Sequence, residues 1–226
     1  MQRGVFYVII DSMIRITKPY KDDMIIPISV SLLNDELNID VYEELLFVAE
    51  EYAKKFEGKY FSDEALDFLN TSIDIEGYVR YDDPREYYVV FEGTNVIDSD
   101  IDTVDIENAE YTVDETEFEA DVIKENSQPA SLVIKDGRIA AIAATNYFIE
   151  DDEDEVELAV ETLPEFRGKG YAKAVLCDMA HKVLDMGKTP TYRASCFNVA
   201  SIATALSCGF CEIGKEYYYN CYKEEE

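Results

Sequence analysis

From Asn38 to Phe56 the apolar residues Ile39, Val41, Tyr42, Leu45, Leu46, Val48, Ala49 and Ala53 return at helical spacing, which predicts a helix over that span. A shorter helix is expected at Ser62 to Leu69. Ser62 can cap it, Asp63 and Glu64 suit the positive end of its dipole, and Ala65 rules out a full capping box. Residues 85–92, REYYVVFE, are aromatic and β-branched and predict a strand, followed at Gly93-Thr94-Asn95 by turn chemistry. Between Glu92 and Glu125 thirteen acidic residues face one lysine, so this stretch reads either as irregular strands with charged edges or as a mobile segment.

The pattern sharpens from Ser131. Two strands, Ser131 to Lys135 and Arg138 to Phe148, flank Asp136-Gly137, a dipeptide that supplies the positive φ of a type I′ hairpin turn. The acidic run Glu150 to Glu155 predicts an exposed loop, and Val156 to Thr162 the next strand. Past Pro164 and a glycine-bearing turn, Ala172, Val175, Leu176, Met179 and Val183 mark one face of a helix from Tyr171 to Met186, which Gly187 closes. Thr191 to Phe197 reads as a strand. Asn198 caps a short helix carrying Ile202, Ala205 and Leu206, Gly209 stops it, and Glu216 to Tyr222 makes a final strand. The last hundred residues thus run β-hairpin, β, α, β, α, β, an α+β or mixed α/β layer arrangement.

Length and composition narrow the class. A chain of 226 residues with 47% apolar content can bury a sizeable core. No apolar run reaches the roughly 20 residues of a membrane span, and Val5 to Ile10 is too short for a signal-peptide core, so no membrane is expected and the cytoplasm is the default location. Five cysteines, an odd number, read as reduced thiols. Cys208 and Cys211 form a lone CxxC with no second pair, and His181 is the only histidine, so no metal site is expected. A formal charge of −29 argues against a nucleic-acid partner, which needs a basic face. The charge is segregated. Residues 156–226 hold ten acidic and eight basic residues, leaving −27 for the preceding 155. A near-neutral C-terminal part can hold an anion, while the acidic remainder would steer cations such as a protonated amine or simply serve solubility.

The segment that carries chemistry is Pro164-Glu165-Phe166-Arg167-Gly168-Lys169-Gly170-Tyr171-Ala172, between a strand end and a helix start. Its glycines let the backbone approach a phosphate, successive amides can point inward, and the helix N-terminus adds partial positive charge. A pyrophosphate would fit. Generic nucleotide loops do not: Gly187-Lys188-Thr189 lacks the first Walker glycine, where Lys182 stands, and Lys173 replaces the third glycine of GxGxxG. The plainer reading is a tight turn.

Arg167-Gly168-Lys169-Gly170-Tyr171-Ala172 resembles the GNAT superfamily signature of Arg or Gln, two residues, Gly, one residue, Gly or Ala. The resemblance implies that the amides of Arg167, Gly168, Lys169, Gly170, Tyr171 and Ala172 bind the pyrophosphate of acetyl-CoA. Upstream, Glu157 to Thr162 is similar to the family strand that splays from its neighbour and pairs with the pantetheine arm, so amides near Val160, Thr162 and Leu163 would polarise the thioester carbonyl. Downstream, Asn198-Val199-Ala200-Ser201 followed by Gly209-Phe210 is similar to the second family signature and implies that Asn198 and Ser201 contact the same arm. A plain helix cap is the other reading of Asn198.

The resemblance spans roughly residues 127–222. It implies a GNAT-like fold, a central mostly antiparallel sheet flanked by helices, in a domain of residues 127–226. Residues 1–126 would then be an acidic extension or a degenerate second lobe. As carboxylates are the available bases, Glu157, near the strand start where similar enzymes often carry a glutamate, is the first candidate and Glu161 the second. Without a bulge both share one strand face, which could also be a solvated one. The departure is Ala205, where many relatives place a tyrosine that protonates the leaving thiolate. Ser201, Ser207, Cys208 or Tyr217, Tyr218, Tyr219 or Tyr222 could substitute, or the thiolate could leave unaided. The expected function is transfer of an acetyl group from acetyl-CoA to a small cationic primary amine by direct attack. The alternatives are a non-catalytic acyl-CoA sensor and acetylation of protein amines. The chain could also pair with a copy of itself.

Overall fold

The computed structural model of the chain describes residues 8–11, 13–17, 25–74, 77–147, 149 and 154–223. Phe148 and residues 150–153 of the expected acidic loop lie outside them, as do residues 5–7 of the Val5 to Ile10 run. The elements run β1 (Val8–Asp11), β2 (Ile14–Thr17), β3 (Ile28–Leu33), β4 (Glu36–Tyr42), α1 (Leu46–Lys55), α2 (Asp63–Asp74), β5 (Tyr78–Arg80) and β6 (Tyr88–Glu92). They continue with β7 (Val104–Asp105), α3 (Ala120–Glu125), β8 (Ala130–Lys135), β9 (Arg138–Thr145), β10 (Glu155–Thr162), α4 (Tyr171–Asp185), β11 (Thr189–Ser195), α5 (Val199–Ser207), β12 (Cys211–Tyr218) and β13 (Cys221–Lys223). The chain divides into two units. The first holds Met1–Val89, Ser195–Phe197 and Gly214–Glu226, the second Val90–Ala194 and Asn198–Ile213.

In the first unit the strands follow the order β1-β2-β4-β3-β12. Asn34 and Asp35 both take positive φ, 50° and 66°, and fold β3 back on β4 with Leu33 facing Glu36. Asn and Asp tolerate this conformation better than other side chains, so the turn is built into the dipeptide. The helix expected over Asn38 to Phe56 is corrected here. Leu37, Ile39 and Val41 alternate along β4, and the helix begins only at Leu46. Ile39, Val41, Tyr42 and Leu45 satisfy both the period of two and the period of 3.6 over so short a window. The second helix begins as expected, with the Ser62 hydroxyl accepting from the Ala65 amide at 3.3 Å, and runs on to Asp74. Ile28, Val30, Ile39 and Val41 from the sheet meet Val48 and Tyr52 of α1 and Leu66, Leu69 and Ile73 of α2 in one apolar core.

The final strand is also corrected. β12 ends at Tyr218, and β13 pairs instead with β5 in a separate two-stranded sheet. Gly214 explains the fit of β12 beside β3: a Cβ there would stand 1.9 Å from the Leu32 carbonyl oxygen.

The second unit orders its strands β6-β11-β10-β9-β8-β7. Asp136 and Gly137, at φ 53° and 75°, close the expected β8–β9 hairpin, which runs from Ala130 to Thr145. β10 pairs antiparallel with β9 and parallel with β11. From Ile139 to Ala144 β9 is wholly buried and consists of alanine and isoleucine, so α4, whose Ala174, Val175, Ala180 and Val183 are buried, can lie close against it. The opposite face is covered by the acidic stretch. Its buried residues Ile106, Ala109 and Ala120 pack onto Leu132, Ile139 and Ile142, with Val104, Tyr111, Phe118 and Ile123 half-buried beside them, and Asp114 accepts from the amides of Thr116 and Ala120 at 2.9 and 2.8 Å. The segment is therefore irregular, held by sparse anchors, with the two-residue β7 at the sheet edge.

Candidate active site

The site begins where a ladder stops. β10 and β11 pair from Glu155–Thr189 to Leu158–Tyr192 and no further, while β10 continues to Thr162. Its other edge stays zipped to β9 as far as Thr162–Ala141 without a register slip. The Leu163 amide donates to the Ala140 carbonyl at 3.1 Å, so odd-numbered residues aim their main-chain groups at β9 and Val160 and Thr162 aim theirs into the opening. The Thr162 carbonyl accepts from Arg167 Nε at 3.1 Å. The Thr162 Oγ1 is buried and makes no hydrogen bond.

At the far end of β10 a single helical turn, Pro164–Phe166, leads into the glycine loop. Arg167 is extended, and Gly168 and Gly170 sit at φ 74° and 80°, a backbone course that side chains with a Cβ resist. α4 starts at Tyr171, and its first main-chain bond, Ala174 N–H to the Gly170 carbonyl, leaves the amides of Tyr171, Ala172 and Lys173 without an intrahelical acceptor. Fifteen aligned peptide units stand behind them.

Between this loop, β10, β11 and α5 lies a cleft of about 650 Å³. Of the residues singled out in the sequence, Val160, Glu161, Thr162, Arg167, Gly168, Gly170, Tyr171, Ala172, Asn198 and Ser201 line it. Three do not. Leu163 is buried with its amide committed to β9, Lys169 bonds the Glu165 carbonyl at 3.1 Å, and Glu157 stands outside the lining. Glu157 Oε1 accepts from Asn146 Nδ2 at 3.1 Å, and Oε2 is ion-paired to Arg193. Glu161 Oε2 accepts from the Glu117 amide at 2.7 Å. Asn198 both lines the cleft and caps α5, its Oδ1 accepting from the Ser201 amide at 3.1 Å.

Ser207, a candidate thiolate donor in the sequence, lines the cleft too, and so do Lys173, Tyr192 and Thr204, which the sequence did not single out. Thr204 and Ser207 follow Ala200 and Ser201 at helical spacing, which was the available signal on α5. Tyr192 had none, because its place depends on where two strands part. On the same helix Ala205 is fully buried and Leu206 is 53% exposed, so the apolar face runs through Ala205 and Cys208 rather than Leu206. The hydroxyls of Tyr217 and Tyr219 are occupied within the first unit, by Asn70 at 3.0 Å and by Asp74. Ser207 Oγ donates to the Thr204 carbonyl at 2.8 Å.

A glycine loop with amides unpaired at a helix start, beside a strand whose open edge faces a cleft, has the chemistry to accept a diphosphate and an extended arm bearing amides. Residues 130–222 match the family model described as GNAT acetyltransferase, a part of the chain with a mixed α/β fold. Among solved structures, a GNAT-family protein from Novosphingobium aromaticivorans is 19% identical, with 66% of this chain and 69% of that one covered at a TM-score of 0.50. A GCN5-related N-acetyltransferase-like protein from Streptococcus suis is 18% identical over 71% and 69%, TM-score 0.45. The yncA protein of Salmonella typhimurium, solved with its cofactor acetyl-CoA, is 18% identical over 47% and 70%, TM-score 0.37. No curated protein matches the chain. Among the described residues no helix is long and apolar enough to cross a membrane, and no three His, Cys, Asp or Glu side chains are grouped to hold a metal.

Proposed function

We propose that the chain transfers an acetyl group from acetyl-CoA to the primary amine of a small cationic acceptor by direct attack. The observation that carries this reading is the parting of β10 from β11 beside the glycine loop. The amides of the loop and of the first turn of α4 would hold the diphosphate. The Val160 amide would reach the thioester carbonyl, and Thr162 Oγ1, otherwise unpartnered, would find an acceptor on the arm.

Direct attack needs a neutral amine and a group to take its proton. Glu161 lies in the cleft with Oε1 left over after Oε2 accepts from Glu117, whereas both Glu157 oxygens are engaged. Glu161 is therefore the better-placed base and Glu157 a brace for Arg193. Support for a cationic acceptor is the acidic stretch from Asp114 to Glu119, which reaches Glu161 through the Glu117 amide.

The test is release of free thiol from acetyl-CoA with spermidine, an aminoglycoside and an amino-acid amide. Turnover with these, lowered about 10- to 100-fold in kcat by Glu161→Gln, is expected. Activity confined to neutral or acidic acceptors refutes the cationic choice. CoA binding with no thiol release favours an acyl-CoA sensor.

A further inference from the structure

A thioester that loses its sulfur leaves a thiolate, and a donor beside that sulfur lowers the barrier. The cleft hydroxyls of Thr162 and Tyr171 belong to the end of β10 and the start of α4, at the glycine loop, so the candidates beside the sulfur are those of β11 and α5. Thr204 Oγ1 donates to the Ala200 carbonyl at 2.9 Å and Ser207 Oγ to the Thr204 carbonyl, each committed to its own helix. Tyr192 and Ser201 differ. Their hydroxyl oxygens lie 2.8 Å apart and either can donate. The pair owns two protons and the contact uses one, so one O–H remains to point into the cleft.

The position of Tyr192 follows from the ladder. It stands opposite Leu158, the last pair before β10 and β11 part. β10 runs from that apex to Thr162 and on into the glycine loop, so an arm whose diphosphate rests on Gly168 to Ala172 and which lies along the open edge carries its far end toward the apex. The far end of coenzyme A is the sulfur. The ring is fixed as well as placed: Tyr192 meets Phe210 edge-on at 6.4 Å, and Phe210 sits so close to Gly93 that a Cβ there would approach the ring to 2.7 Å.

We propose that Tyr192 is the proton donor to the leaving sulfur, with Ser201 as the hydroxyl that resupplies it; the proposal rests on the acetyl-transfer reading above. The amine lone pair forms the N–C bond and the C–S pair leaves on sulfur, which takes the Tyr192 O–H proton. Glu161 takes the proton shed by the acylated nitrogen. Ser201 then returns a proton to Tyr192 and regains one from water, to which Glu161 releases its own. Burial holds the Tyr192 phenol above its ordinary range, partly offset by the Ser201 hydrogen bond, so it stays protonated at neutral pH. A donor from β11 also accounts for Ala205, which offers none from α5.

Tyr192→Phe keeps the ring against Phe210 and removes only the hydroxyl. Expected is a fall in kcat of about 10- to 100-fold for thiol release from acetyl-CoA with the amine panel. The KM for acetyl-CoA and the calorimetric affinity for CoA should stay within about twofold of wild type, which separates proton donation from binding. Ser201→Ala, which leaves the phenol in place, should lower kcat less. An unchanged kcat in Tyr192→Phe, or a fall matched by an equal loss of CoA affinity, overturns the role of Tyr192 while leaving the acetyl-transfer reading standing. A wild-type protein that binds CoA yet releases no thiol with any amine overturns both.

Discussion

The first unit packs tyrosines where the second packs alanines. In the first, Tyr52, Tyr217 and Tyr219 are fully buried and each phenol has a partner. Tyr217 donates to Asn70 Oδ1, which Arg80 also approaches at 3.3 Å, while Asn70 Nδ2 donates to the Leu66 and Pro84 carbonyls at 2.7 Å each. Arg80 lies over the Tyr217 and Tyr219 rings at 4.9 and 5.1 Å. Large amphipathic side chains there fill space and use up their own polar groups. In the second unit the alanines of β9 and α4 let helix and sheet close up, and the polar capacity stays on the backbone, at the open edge of β10 and the first turn of α4. The buried phenols of one unit are partnered within it, while the other keeps main-chain donors at an open strand edge.

The largest effect that sharpens this contrast is expected at the loop. Gly170→Ala must hold a Cβ at φ 80° with Ile101 Cδ1 3.2 Å away, which costs about 1–2 kcal/mol and turns the adjoining amides. CoA affinity by calorimetry should fall at least about tenfold, and the thermal midpoint should drop by only about 2–8 °C, leaving the protein folded at about 25 °C. Next, an alanine of β9 should tolerate no growth. Ala141→Leu, fully buried, is expected to destabilise by about 1–3 kcal/mol in urea unfolding through overpacking. In the first unit, Tyr217→Phe removes one donor from a satisfied network and should cost about 1–2 kcal/mol with CoA affinity unchanged. A Tyr217→Phe protein of wild-type stability would break the comparison.

The smallest effect is a pH dependence. Burial alone would raise the Asp178 pKa, but hydrogen bonds from Ser131, at 2.6 Å, and from Lys182, at 3.0 Å, outweigh it and hold the carboxyl below its ordinary range. A depressed folded-state pKa stabilises above the unfolded value, about 3.9, and the contribution is lost as pH falls through the folded value. Asp178→Asn should therefore flatten acid unfolding below about pH 4, read by tryptophan-independent circular dichroism.

What could be read in the chain was local chemistry. Asp136-Gly137, Gly168 and Gly170, and the Asn198 cap each act within a few residues, and the cleft gathers most of the positions those motifs named. Asn34-Asp35 carries the same turn chemistry yet went unread, because the overlapping helical spacing from Ile39 onward drew β4 into α1. The end of β12 at Tyr218 depends on pairing with a distant strand, and so does the role of Tyr192. The sparse anchors Ile106, Ala109 and Ala120 were hidden by the acids around them, since burial of three residues does not show in a charge count.

The most direct measurement is a calorimetric titration of CoA into the wild-type protein. One site per chain, with affinity weakened at least about tenfold in Gly170→Ala, is the predicted result. A folded protein that gives no heat with CoA or acetyl-CoA would contradict the central claim that the parting of β10 and β11 is a coenzyme A site.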